Sequence, residues 1–234
     1  MMRRLAIVIA LAAALSAPAS AQPAGVQVTP VILVADADSG QSSVRVRNWR
    51  EREVSFEAIA YAWSQADGED VLEPTNDIML APSTFVIAAQ GEQIVRIAAA
   101  RGPANDHRER AYRLILRELP SASEEVQGFR VQLQFSLPVF AQPAFSETRL
   151  SAVRGAAGIS LRNAGNTHVR LMSAVSEPQG AAWEHLPRYL LAGEEITRPQ
   201  PDGADSVTVA YVPAGLSEPL SETIAIADDA AHPR

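Results

Sequence analysis

At 234 residues, 47% of them hydrophobic, the chain can bury one large core or two small ones. Its formal charge of -7 argues against a general nucleic-acid binder, which carries a basic footprint. It has no cysteine, which excludes disulfides, structural Cys-zinc sites and cysteine nucleophiles, and no lysine, so all 20 positive side chains are arginines.

The chain opens MMRRLAIVIALAAALSAPASAQPA. Arg3 and Arg4 precede an apolar run from Leu5 to Leu15 that is too short to span a bilayer comfortably, and Ala19-Ser20-Ala21 offers small residues at signal-peptidase spacing. The short core and the cleavage site weigh against an uncleaved anchor. Residues 1–21 are read as a signal peptide and the mature chain as starting at Gln22, exported and not inserted in a membrane after cleavage.

After that the chain reads as short strands punctuated by turns. VQVTPVILV (26–34) is extended but interrupted by Pro30, which suits an edge or a bulge. SSVRVRNW (42–49) alternates, with Val44 and Val46 inward and Arg45 and Arg47 outward. VSFEAIAYAW (54–63) is followed by a turn at ADGED (66–70), and TFVIAAQGEQIVRIAAA (84–100) reads as two strands around Gln90-Gly91. AYRLILREL (111–119) puts Tyr112, Leu114 and Leu116 on one face. After a polar loop, FRVQLQFSLPVF (129–140) carries Phe129, Val131, Leu133, Phe135, Leu137 and Val139 as one apolar stripe on an extended segment. The stripe either packs the chain's own core or is kept for another chain.

AQPAFSE (141–147), with Pro143, breaks the pattern and marks a domain boundary: residues 22–143 form the first domain and 144–234 a smaller second one. TRLSAV, GISLRN, THVRLMSAV, EEITRP, SVTVAYV and ETIAIA supply its strands, and LPRYLLAG (186–193) makes at most one or two helical turns. The fold class is all-β, with the regular strand spacing and frequent turns of β-sandwiches.

Catalytic patterns are missing. His107, His168, His185 and His232 show no metal-ligand spacing and are read as solvated surface. No GxSxG elbow, P-loop or GxGxxG occurs, and the acidic pairs Glu124-Glu125, Glu194-Glu195 and Asp228-Asp229 lie in loops or at the C-terminus. No enzyme, cofactor or metal is expected.

Several stretches, in order and spacing, resemble one family. APSTFVIAAQGEQIVRIA (81–98), with Pro82, Gly91, Gln93 and Arg96, AYRLILRELP (111–120), with Arg117, Glu118 and Pro120, FRVQLQFSLPVFAQP (129–143) and SLRNAGNTHVRL (160–171), with Asn163 and Asn166 in a turn, are similar to segments of PapD-like periplasmic chaperones of chaperone–usher pilus assembly. The resemblance covers about residues 26 to 226. It implies an all-β fold of two immunoglobulin-like sandwiches joined at an angle, a donor strand over 128–140, and pilus or fimbrial subunits and an outer-membrane usher as partners. Phe129, Val131, Leu133 and Phe135 would enter the subunit's groove by strand addition, the mode by which pilus chaperones hold pilins.

The chain departs from the family where the best-known members grip the subunit's C-terminal carboxylate with an Arg and a Lys, for Ile32 and Pro138 stand there. Gln142 and the neighbourhood of Pro213 replace two members of the interdomain charge cluster, leaving Glu118. The SLPVF ending (136–140) resembles the archaic branch. Arg96 and Arg117 are the candidate carboxylate anchors, with Arg47 and Arg113 behind them. A secreted structural or adhesive sandwich, itself a surface subunit, is the alternative reading. A carbohydrate-binding module is a weaker one, because Trp49, Trp63 and Trp183 are too scattered to form a platform.

Overall fold

The computed structural model describes residues 25–36, 38–100, 107–120, 131–199 and 203–228; the signal segment 1–21, the loop acids Glu124 and Glu125, Phe129, Asp229 and His232 lie outside the described residues. Ten strands come first: β1 Val26–Thr29, β2 Leu33–Ala35, β3 Gln41–Asn48, β4 Val54–Ala66, β5 Glu69–Pro74, β6 Ile78–Ala81, β7 Thr84–Ile87, β8 Glu92–Ala99, β9 Arg110–Glu118 and β10 Gln134–Ala141. One sheet runs β1-β3-β8-β6 and a second β2-β10-β9-β4-β5, with β7 also on β4.

Alternation builds the core between them. Val44 and Val46 of β3 and Val95 and Ile97 of β8 meet Phe56, Tyr112, Leu114, Leu116, Leu137 and Val139 of the facing sheet. Asp67 and Gly68, both at positive φ, close the β4–β5 hairpin with the Asp-Gly chemistry of a two-residue turn. The extended stretch over 26–34 divides at Pro30: β1 pairs β3 in one sheet and β2 pairs β10 in the other. Gln90-Gly91 likewise carries the chain between sheets, since β7 pairs β4 and β8 pairs β3.

The second sandwich contains β11 Leu150–Gly155, β12 Gly158–Asn163, β13 Val169–Glu177, β14 Ala181–Ala182, β15 Arg188–Leu190, β16 Glu195–Arg198, β17 Ser206–Pro213 and β18 Leu220–Asp228. Its strands run β14-β13-β17-β18-β11-β12-β16, with β15 on β13, and enclose Leu161, Leu171, Trp183, Val207 and Val209. LPRYLLAG holds strand β15 rather than a helical turn. Register pairs Val169 with Leu190 and Arg170 with Tyr189, so tertiary pairing overrides the local helix preference. No helix occurs among the described residues.

The two sandwiches meet over a small aromatic patch. On β4, β9 and β10, Trp63, Ala111 and Phe140 point away from the first core, and they pack with Tyr189 and Leu191 of the second domain. Trp63 and Tyr189 meet edge to face with centroids 5.6 Å apart, and Trp63 lies 5.9 Å from Phe140.

Candidate functional site

The apolar stripe of β10 runs out of the core. Val139 and Leu137 are buried, Phe135 is half-buried with its ring 6.4 Å from Phe56, Leu133 is half-buried, and Val131 is 70% exposed. One face of one segment therefore passes from the chain's own core to solvent. The ladder begins at Gln134, opposite Arg117, because β9 ends one residue beyond, at Glu118. Before that, Leu133 is held at both backbone groups: its carbonyl accepts from the Glu118 N–H (2.9 Å) and its N–H donates to the Glu118 carboxylate (3.2 Å).

The far edge of β10 is open. β2 pairs with it only over Val139–Ala141, so Gln134 to Pro138 have a strand partner on the β9 side alone among the described residues. Val31, Ile32 and Val34, in and just before β2, are exposed apolar side chains. An unpaired strand edge beside exposed apolar side chains is a template for an incoming strand.

The outer face of this sheet carries the charges. Across β10, β9 and β4 the rows read Pro138–Arg113–Tyr61, then Ser136–Ile115–Ile59, then Gln134–Arg117–Glu57, moving away from the domain joint. The Arg113 guanidinium lies 3.7 Å over the Trp63 ring and donates to Asp70 at 3.3 Å. Burial pulls its pKa down, against Asp70 and Tyr189. Burial pushes the Tyr189 phenol up, with Arg170 and then Arg113 opposing, so Tyr189 stays a neutral donor at physiological pH.

Of the two anchor candidates, Arg117 shares this face but is held by Glu57 at 2.5 Å. Arg96 stands exposed on the outer face of the other sheet, opposite Ser43 and Ala81. The fold thus separates them. Arg113, across from Pro138, sits nearest the joint. Alternation along β9 puts Arg113 and Arg117 on the same face, and the pairing of β9 with β10 brings Arg113 beside Pro138.

Two expectations about charge are corrected. His168 is not a solvated side chain. It is buried, stacked 3.6 Å from the Phe140 centroid, and its Nδ1 lies 2.6 Å from Glu109 Oε2, which also accepts its backbone N–H at 2.8 Å. Glu118 is not at the joint. It takes a bidentate pair from Arg50, at 2.6 and 3.2 Å, at the opposite end of β9. Glu109 is a buried acid at the domain boundary, and sequence reasoning missed it because its partner is 59 residues away. Among the described residues, no group of three or more His, Cys, Asp or Glu could hold a metal ion.

Comparison with known proteins agrees with this geometry. No curated protein matches the chain. The class 5 fimbriae chaperone CfaA shares the fold at 12% identity and TM-score 0.67, covering 86% of this chain and 99% of that one. A chain of the Salmonella enterica SafA pilin–SafB chaperone complex matches at 16% identity and TM-score 0.66, covering 87% and 98%. A chain of the CsuC–CsuE chaperone–tip subunit complex of the archaic Csu pili of Acinetobacter baumannii matches at 19% identity and TM-score 0.64, covering 88% and 99%. The sequence profile of the pili and flagellar-assembly chaperones, PapD N-terminal domain, matches residues 25–147. That match spans more than half of the chain, and the protein belongs to the pili and flagellar-assembly chaperone family.

Proposed function

We propose that this protein is a non-catalytic periplasmic chaperone that binds pilus or fimbrial subunits by donor-strand complementation and delivers them to an outer-membrane usher. The observation that carries this reading is the stripe that leaves the core along the open edge of β10. Phe129, Val131, Leu133 and Phe135 fill the subunit's groove, while β10 supplies main-chain hydrogen bonds. Burying four such side chains contributes about 6–12 kcal/mol gross, offset in large part by ordering and association costs. Supporting the partner class, CsuC is described in a pre-assembly complex with a tip subunit and SafB in complex with a pilin.

Residues 22–143 form the subunit-gripping domain and 144–234 the second, after cleavage behind Ala21. For the subunit's C-terminal carboxylate, support is stronger for Arg117 and Arg113, on the sheet that contains β10, than for Arg96 on the other sheet.

The test is co-expression with a pilus subunit encoded in the same gene cluster, followed by pull-down from the periplasm. A one-to-one complex with the wild type, lost on Leu133→Glu while the chaperone stays folded, is the expected result. A complex insensitive to Leu133→Glu and Val131→Glu, or no complex at all, overturns the reading.

A further inference from the structure

Two domains joined by a short segment ordinarily move against each other unless the interface is large and apolar. Here the apolar patch is small, and hydrogen bonds flank it on both sides. On one side, Gln65 of β4 donates to the Tyr189 carbonyl at 3.0 Å and accepts from the Leu191 N–H at 3.1 Å, and Arg188 donates to the Gly68 carbonyl. On the other side stand the buried Glu109–His168 pair and Asn166.

Asn166 touches three segments at once. Its Nδ2 donates to the His107 carbonyl (2.8 Å) ahead of β9 and to the Phe145 carbonyl (2.9 Å) in the segment joining the domains. Its Oδ1 accepts the Glu147 N–H at 2.6 Å, and its own carbonyl accepts the Glu109 N–H at 2.8 Å. An amide side chain alone offers two donors and an acceptor at this length; Asp lacks the donors and Ala lacks both. The turn is also pressed against the joining segment. Ala164 and Gly165 donate to the Arg149 carbonyl, and a Cβ on Gly165 would collide with the Glu147 carbonyl oxygen.

We infer that Asn166, with the Glu109–His168 pair beside it, is a positioning residue that locks the two domains at one angle before any client arrives. First domain, joining segment and second domain are tied at a single side chain. The open edge of β10 and the second domain are then presented as a preformed cradle, and a client binds without first ordering the joint.

The absence of cysteine makes the test direct. Ser43→Cys and Ser221→Cys place one spin label on an exposed strand of each domain of the full mature chain, and double electron–electron resonance reads the distance between them. A single narrow distribution in the otherwise unaltered protein is expected, and a broad or two-peaked one overturns the inference. Asn166→Ala is expected to broaden the distribution while near-UV circular dichroism of the sandwiches is retained; an unchanged distribution overturns the role of Asn166. Asn166→Asp, which keeps size and acceptor but removes both donors, gives the same readout if the alanine variant fails to fold. These outcomes do not depend on the proposed client. With a client subunit in hand, Asn166→Ala is expected to bind roughly tenfold more weakly, the cost of ordering a loosened joint, whereas loss of binding on Leu133→Glu with an unchanged distribution tests only the donor strand.

Discussion

Arg113 lies over the Trp63 indole, donates to Asp70 and stands opposite Pro138 in the β9–β10 register, and its five-donor fork offers more N–H groups than that one bond uses. A desolvated arginine beside a neutral phenol suits a carboxylate, because a charge-assisted hydrogen bond is worth about 1.5–3 kcal/mol. If the subunit's C-terminal carboxylate lands here, amidating it is expected to weaken binding to the unaltered chaperone by about tenfold or more and to leave binding to Arg113→Gln unchanged. Equal losses with both proteins would move the anchor to Arg117. Glu194 offers a separate test of burial. Desolvation raises its carboxyl pKa above the ordinary 4.5, with Arg108 pulling it back, Glu195 adding to the rise and Arg162 opposing it. The folded chain therefore holds this proton more tightly than the unfolded one. The associated stability is complete below the ordinary carboxyl range and is lost as pH rises through the folded value. Glu194→Gln is expected to melt higher than the unaltered protein at about pH 7 and to converge with it at about pH 3. A gain that persists in acid would mean the side chain acts through packing.

Along β10 the stripe is graded, and its two ends answer to different tests. Truncating Leu137, buried in the first core, is expected to cost about 2–4 kcal/mol of folding stability, as core Leu→Ala changes do. Val131, 70% exposed, is expected to cost under about 0.5 kcal/mol on truncation. Subunit affinity should show the reverse order, with Phe135→Ala losing on both counts because its half-buried ring still reaches Phe56. Denaturant melts and client pull-downs on the same three variants check the crossover; parallel losses in both assays would return the stripe to ordinary core duty. The strands themselves were legible in the sequence, since a period of two shows wherever one face is buried: Val44 and Val46, then Tyr112, Leu114 and Leu116, all alternate as expected. Pairing was less legible. Nothing local distinguishes a hairpin from a crossing between sheets at Gln90-Gly91, and nothing local tells that Arg188–Leu190 will find β13. His168 looked polar by its neighbours and is buried by a partner from the other domain. The open edge was not legible at all, because it depends on where β2 stops pairing.

The whole molecule is held together at a joint whose apolar part rests on Trp63, Phe140 and Leu191, flanked by Tyr189 and Ala111. Trp63 is buried yet points out of the first core, so its packing couples the domains rather than stabilising either one alone. With Gln65, Asn166 and the Glu109–His168 pair closing the seam on both sides, unfolding of one sandwich exposes the binding face of the other. The full mature chain is therefore expected to unfold in a single calorimetric transition, with calorimetric and van't Hoff enthalpies in agreement. Trp63→Ala removes an aromatic whose burial in such a site is worth about 3–5 kcal/mol, most of it coupling free energy here. The variant is expected to resolve into two transitions, with the first sandwich retaining its own core of Phe56, Leu114 and Leu116. Two transitions already present in the unaltered chain, or one transition in both, would mean that the domains do not communicate through this patch. If a client is held between the proposed donor strand on one domain and the face of the other, it needs that communication, because either domain alone would present only half of the cradle.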